Sequence, residues 1–122
     1  MINVLLFNIA KDKEKRLAAL FSHLRLTYAA VPPHAFLQSI GKLCGAPSHE
    51  NDADGFGFPF TEEMLVLCGL SESGLDLLLA ALRQTGNGVR LKAVLTESNA
   101  AWSAAMLCAA LKEEDAALRK NR

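Results

Sequence analysis

The sequence predicts an α/β fold: a small three-layer domain whose parallel four-stranded sheet, of order 2-1-3-4, carries helices on both faces. Three observations predict it. Strand-like and helix-like segments alternate four times along the chain, the pattern of a sheet wound with helices. Two of the strand-like runs, Val4-Leu5-Leu6-Phe7 and Met64-Leu65-Val66-Leu67, are apolar throughout, as strands buried on both faces are. The other two are shorter or half polar and belong at edges. The order 2-1-3-4 puts the apolar pair in the middle, with right-handed crossovers.

The elements follow in order. The first strand spans Ile2 to Phe7. Lys11 to Arg25 carries Leu17, Leu20, Phe21 and Leu24, the stripe of an amphipathic helix. Leu26 to Val31 is the second strand, stopped by Pro32-Pro33 because proline cannot donate to a ladder. Phe36, Leu37, Ile40 and Leu43 then recur at helical spacing. Cys44 to Pro59 is rich in Gly, Pro, Ser, Asn and Asp and reads as a long mobile loop, at about 45–59. Glu63 to Cys68 is the third strand and Ser71 to Gly86 the third helix, closed by Gly86-Asn87-Gly88. Val89 to Leu95 is the fourth strand, and Ser98 to about Leu118 the last helix. Beyond the βα alternation the sequence shows no internal repeat. Residues 1–122 read as a single domain, a length at which a chain buries roughly two thirds of its unfolded surface.

Composition narrows the function classes. Hydrophobic residues make up 51% and charged residues 21%, which excludes disorder as the main state. Thirteen basic residues balance thirteen acidic ones, so the basic excess of a nucleic-acid binder is missing. The balance hides a segregation of +4 over residues 1–43, −7 over 44–82 and +3 over 83–122. The apolar opening run is too short to cross a membrane and lacks the flanks of a signal peptide. Cys44, Cys68 and Cys108 form no C-x-x-C pair and read as reduced thiols of a cytoplasmic protein.

A ligand in a parallel sheet binds beyond the carboxyl ends of the strands, where the winding reverses. That rule places a candidate crevice at the ends of strands one and three. Its candidate ligand-binding residues are Asn8, Cys68, Gly69 and Ser71, with Thr96 and Asn99 on the same rim. For Asn8 the favoured reading is a cap on the first helix, as Ser71 and Ser73 suit the third and Thr96 or Ser98 the last. Lys11 and Lys13 near a helix start raise the prospect of a small anionic ligand.

The signatures of defined chemistry are missing. Neither G-x-x-x-x-G-K-[ST] nor a strand-borne G-x-G-x-x-G occurs, so no cofactor is implied. A receiver-type phosphoacceptor needs acids where Asn8 and Cys68-Gly69 stand. A Cys68–His34 nucleophile pair has no elbow motif around it. Glu50, Asp52, Asp54 and Gly55 resemble the start of a calcium loop, but Thr61 occupies the place of its final glutamate. No catalytic residue and no metal ligand is therefore assigned.

The last two helices are apolar nearly all round. A helix on one side of a sheet needs only one apolar face, so a second chain is expected to cover the other. The expectation is a homodimer through the last helix, with Trp102, Met106 and Leu107 as candidate interface residues.

Four segments taken together, INVLLFNI (2–9), VPPHAFLQSIGKLCG (31–45), FTEEMLVLCGL (60–70) and LKAVLTESNAAWSAAMLCAAL (91–111), resemble a family of small bacterial proteins catalogued only as a domain of unknown function. The resemblance covers most of the chain outside the 47–58 loop. It implies a bacterial, cytosolic origin and carries no activity with it. The residues then leave two readings: a non-catalytic dimeric interaction or ligand-sensing module, or a small enzyme or small-molecule-binding protein using the strand-end crevice.

Overall fold

The structure, a computed structural model, describes residues 1–120. Its sheet has four strands, β1 (Val4–Phe7), β2 (Tyr28–Val31), β3 (Met64–Leu67) and β4 (Leu91–Val94), in the order β2-β1-β3-β4 that the sequence predicts. The helices are α1 (Lys11–His23), α2 (Ile40–Leu43), α3 (Glu72–Gln84) and α4 (Ala104–Lys120). The alternation of side chains along the central strands divides the core in two. Val4, Leu6, Leu65 and Leu67 pack with Leu17 and Phe21 of α1 and Leu78 and Leu82 of α3. Leu5, Phe7, Met64 and Val66 pack on the other face with Phe36, Ile40 of α2, and Ala104 and Leu107 of α4. All eight central-strand residues are buried, which is why both runs had to be apolar throughout.

The sheet is mixed, not parallel. β1 pairs with β2 and β3 with β4 in parallel, but β1 and β3 run antiparallel, with Val4 opposite Leu67 and Phe7 opposite Met64. The cause lies in the connection from β2 to β3. It does not return the chain to the end where β1 begins. It brings residues 60–62 to the end where β1 stops, and there the Asn8 side-chain amide donates to the carbonyls of Phe60 and Glu62, both at 3.0 Å. Hydrophobic patterning reports burial, and burial is the same for a central strand of either direction.

Two helices are shorter than their periodicity suggested. Phe36 and Leu37 do not belong to α2. They follow a 3-10 turn at Pro33–Ala35, and α2 is one turn capped by Ser39, whose hydroxyl accepts from the Lys42 N–H at 3.1 Å. The last helix starts at Ala104, not Ser98. Residues 97–101 form turns, and Ser103 accepts from the Met106 N–H at 3.0 Å as the cap does.

An approximate two-fold relation links the halves, although the sequence shows no repeat. The units β1-α1-β2 and β3-α3-β4 meet head to tail at the β1/β3 pair, and α1 and α3 are 13 residues each. Ser39 and Ser103 face each other in an antiparallel bridge. Around it the hydrogen bonds are reciprocal. Ile40 N–H donates to the Trp102 carbonyl (2.9 Å) and Ala104 N–H to Gln38 (3.3 Å); Gly41 N–H donates to Ala100 (2.8 Å) and Ala105 N–H to Phe36 (3.0 Å). Aligned on this bridge, Ser39-x-x-x-Leu43-Cys44 matches Ser103-x-x-x-Leu107-Cys108, two short identities too far apart to register as periodicity.

Candidate functional site

The antiparallel β1/β3 pair separates the residues expected to form one crevice. The carboxyl end of β1, with Asn8, lies beside the start of β3, while the carboxyl end of β3 lies beside the start of β1. Asn8 therefore stands at one end of the sheet, and Cys68, Gly69 and Ser71 at the other.

At the first end Asn8 takes a left-handed conformation, φ +58°, and holds the chain entering β3 through its two amide bonds. It does not cap α1, whose cap position is Ala10 with no side-chain bond. A polar hollow of about 360 Å³ opens nearby, between Glu62, Glu63, Arg90 and the α4 residues Lys112, Asp115 and Arg119. Its charges are paired: Lys13 Nζ to Glu63 at 2.9 Å, Lys112 Nζ to Glu62 at 2.8 Å and Arg90 to Asp115 at 2.7 Å. The hydrogen bond from Lys112 holds the Glu62 carboxyl below its usual range, and Glu62 in turn raises the Lys112 ammonium. The Lys13–Glu63 and Lys112–Glu62 pairs join the acidic middle of the chain to its two basic flanks, so part of the charge segregation is resolved within one molecule.

At the second end the polar groups are engaged in local structure. Gly69, φ +67°, turns the chain out of β3. Ser71 caps α3, accepting from the Gly74 N–H at 3.0 Å. Thr96 and Asn99 close on each other: the Thr96 N–H donates to Asn99 Oδ1 (2.9 Å), the Asn99 N–H to Thr96 Oγ1 (3.2 Å), and the Asn99 amide to the Val94 carbonyl (3.0 Å). Cys68 is fully buried. Burial first, and the adjacent Cys44 second, push its thiol up to about 12, so it is protonated at neutral pH and unfit as a nucleophile. Cys108, buried beside Glu62, is pushed up to about 11. The acidic loop has partners of its own: Asp52 Oδ2 lies 2.8 Å from His49 Nδ1, and hydrogen bonds from Ser39 and then His49 lower its carboxyl.

Of the three residues expected at an interface, Leu107 is 3% exposed and belongs to the core, Trp102 is half-buried against it, and Met106 is 47% exposed. The two most exposed large apolar side chains lie in the loop segment, outside the helices. Residues 55–60 cross the start of α4 as a strap. The Gly55 N–H donates to the Leu37 carbonyl at 2.8 Å, and the Ser103 hydroxyl donates to the Phe56 carbonyl. Gly57 lies so close to α4 that a Cβ there would sit 2.4 Å from that of Ala105. Phe60 turns inward and stacks on Phe36 with ring centroids 4.4 Å apart. Phe56 and Phe58 turn outward, 89% and 88% exposed. The signal was present in the sequence as Phe56-Gly57-Phe58-Pro59-Phe60, three aromatics in a stretch otherwise polar.

Comparison with known proteins adds one finding. Residues 63–118 match the family model described as domain of unknown function DUF3783. The DUF3783 match runs from the start of β3 into the last turns of α4 and so covers one of the two related halves, just under half of the chain. The segments 2–9 and 31–45, which resembled the same kind of family, lie outside it. No curated protein and no solved structure matches the chain. DUF3783 has no activity attached to its description, and the function remains uncharacterised on this comparison. Among the described residues no helix is long and apolar enough to cross a membrane.

Proposed function

We propose that this chain is a non-catalytic interaction module of the bacterial cytoplasm, working as a homodimer. The observation that carries the reading is the outward pair Phe56 and Phe58 on a strap whose backbone is hydrogen-bonded in place. Large apolar side chains held rigidly in water are a recognition surface far more often than a catalytic one. The polar residues expected to serve a ligand support the same reading: they are divided between two ends of the sheet, and their hydrogen bonds go to their own backbone.

A second reading, a small-molecule-binding protein, has its support in the hollow where Arg90, Lys112 and Arg119 stand beside Glu62, Glu63 and Asp115, and a small anionic ligand there would compete with these carboxylates for the three cations. A thermal-shift screen of inorganic anions, metabolites and metal ions separates the two. The interaction-module reading expects no stabilisation beyond that of salt. A stabilising anion whose effect is lost in Arg90→Gln would favour the ligand-binding reading instead.

A further inference from the structure

Among the described residues, the exposed large apolar side chains cluster most densely at the strap. Residues 57–60 form a ridge topped by Phe58, with a hollow on either side. One hollow, about 380 Å³, lies between the ridge and the α4 residues Met106 and Ala109; the other, about 270 Å³, lies between the ridge and Pro33, His34 and Leu37. Both have room for an aromatic ring. We propose that this ridge and its hollows form an isologous interface, in which Phe58 of each protomer seats in a hollow beside the ridge of a second copy of the same chain. The proposal rests on the interaction-module reading and fixes both the partner and the surface, moving the interface from Trp102 and Leu107 to the strap.

Three features select a second copy as the occupant. A two-fold contact requires the projecting group and its receptor to lie on one patch, and here they are adjacent. The area is sufficient: Phe56 and Phe58 are almost fully exposed and Leu37 and Met106 are 39% and 47% exposed. At about 150–250 Å² for a phenylalanine, the patch offers roughly 500 Å² per chain, in the upper part of the range for a monomer's largest apolar patch, and roughly 1,000 Å² for a pair, where specific interfaces begin. Charge does not oppose the contact. The titratable groups lining the hollows are His34, Cys108 and Lys112; the Cys108 thiol keeps its proton, Lys112 is neutralised by Glu62 at 2.8 Å, and the whole chain has a formal net charge of zero.

The test is size-exclusion chromatography with light scattering on the full chain at high micromolar concentration. The wild type is expected at twice the 13.2 kDa of one chain. Phe58→Ser, and separately Met106→Glu, are expected to give single chains, while Leu77→Ser on α3, 59% exposed and remote from the strap, leaves the mass doubled. Circular-dichroism melts establish that each variant is folded. A wild type that runs as a single chain overturns the proposal, as does a dimer that survives both Phe58→Ser and Met106→Glu. A single-chain wild type also removes the homodimer from the proposed function and leaves the non-catalytic module to be judged by the ligand screen, whereas a dimer that survives both substitutions overturns this surface and leaves the homodimer standing.

Discussion

A left-handed backbone at Asn8 and two hydrogen bonds from its amide make this one side chain the latch between β1 and the segment that leads into β3. Asparagine tolerates that conformation where alanine does not, by about 1–2 kcal/mol. Asn8→Ala is therefore expected to lose that margin and the two bonds together, about 2–4 kcal/mol, measured as a fall in the urea midpoint. Asn8→Gly keeps the conformational freedom and should lose the smaller part, about 1–2 kcal/mol. The cysteines give a pH dependence. An unfolded thiol releases its proton near 9.0, whereas the folded protein holds those of Cys68 to about 12 and Cys108 to about 11. Below pH 9 both states keep the protons and stability is unaffected. Above it the folded state binds more protons than the unfolded one, so stability falls as pH rises. Denaturation midpoints taken from pH 8 to 11 should slope downward, and Cys68→Ala should flatten the slope, whatever it does to the level.

At the scale of elements, the strap and α4 depend on each other. Ser103 caps the helix through the Met106 N–H and at the same time holds the Phe56 carbonyl. Gly57 lets the two backbones approach, with φ +146° and no room for a Cβ against Ala105. Gly57→Ala is expected to lift the strap off α4 and cost about 1–3 kcal/mol, as overpacking does. Its signature is faster proteolysis within residues 50–60 while the far-ultraviolet circular dichroism stays unchanged. Glycine spacing carries no hint of this contact, because a close approach between segments so far apart along the chain has no local pattern. The shortness of α2 has a similar origin. Phe36 lies at helical spacing from Ile40, but the chain ahead of Ser39 is taken up by the reciprocal bonds to Ala104 and Ala105.

The molecule as a whole is two related βαβ units that share a central strand pair and the Ser39–Ser103 bridge. Neither unit buries its central strand without the other: Leu5 and Val66, partners in the β1/β3 register, are both fully buried. Unfolding is therefore expected to be one cooperative transition. Trp102, the single tryptophan, belongs to the second half and accepts the Ile40 N–H of the first, so it reports the seam. Its fluorescence and the far-ultraviolet circular dichroism should melt at the same temperature; two separated midpoints would mean the halves fold independently.

The sequence by itself determined which strands are central and buried on both faces, and with them the strand order. Continuous apolar runs fit the two-faced interior of a sheet, mixed runs fit its edges, and helical stripes mark the faces that cover it. It also determined that the cysteines form no metal or redox motif of recognised spacing. Strand direction, the site and the solvent-facing apolar surface were decided only in three dimensions. A buried strand looks the same in either direction, so the antiparallel β1/β3 pair was illegible, and with it the separation of Asn8 from Cys68 and Ser71. The exposure of Phe56 and Phe58 was illegible for a related reason. Hydrophobicity says that a side chain would rather leave water, and only the backbone bonds that hold residues 55–60 across α4 decide that these two do not.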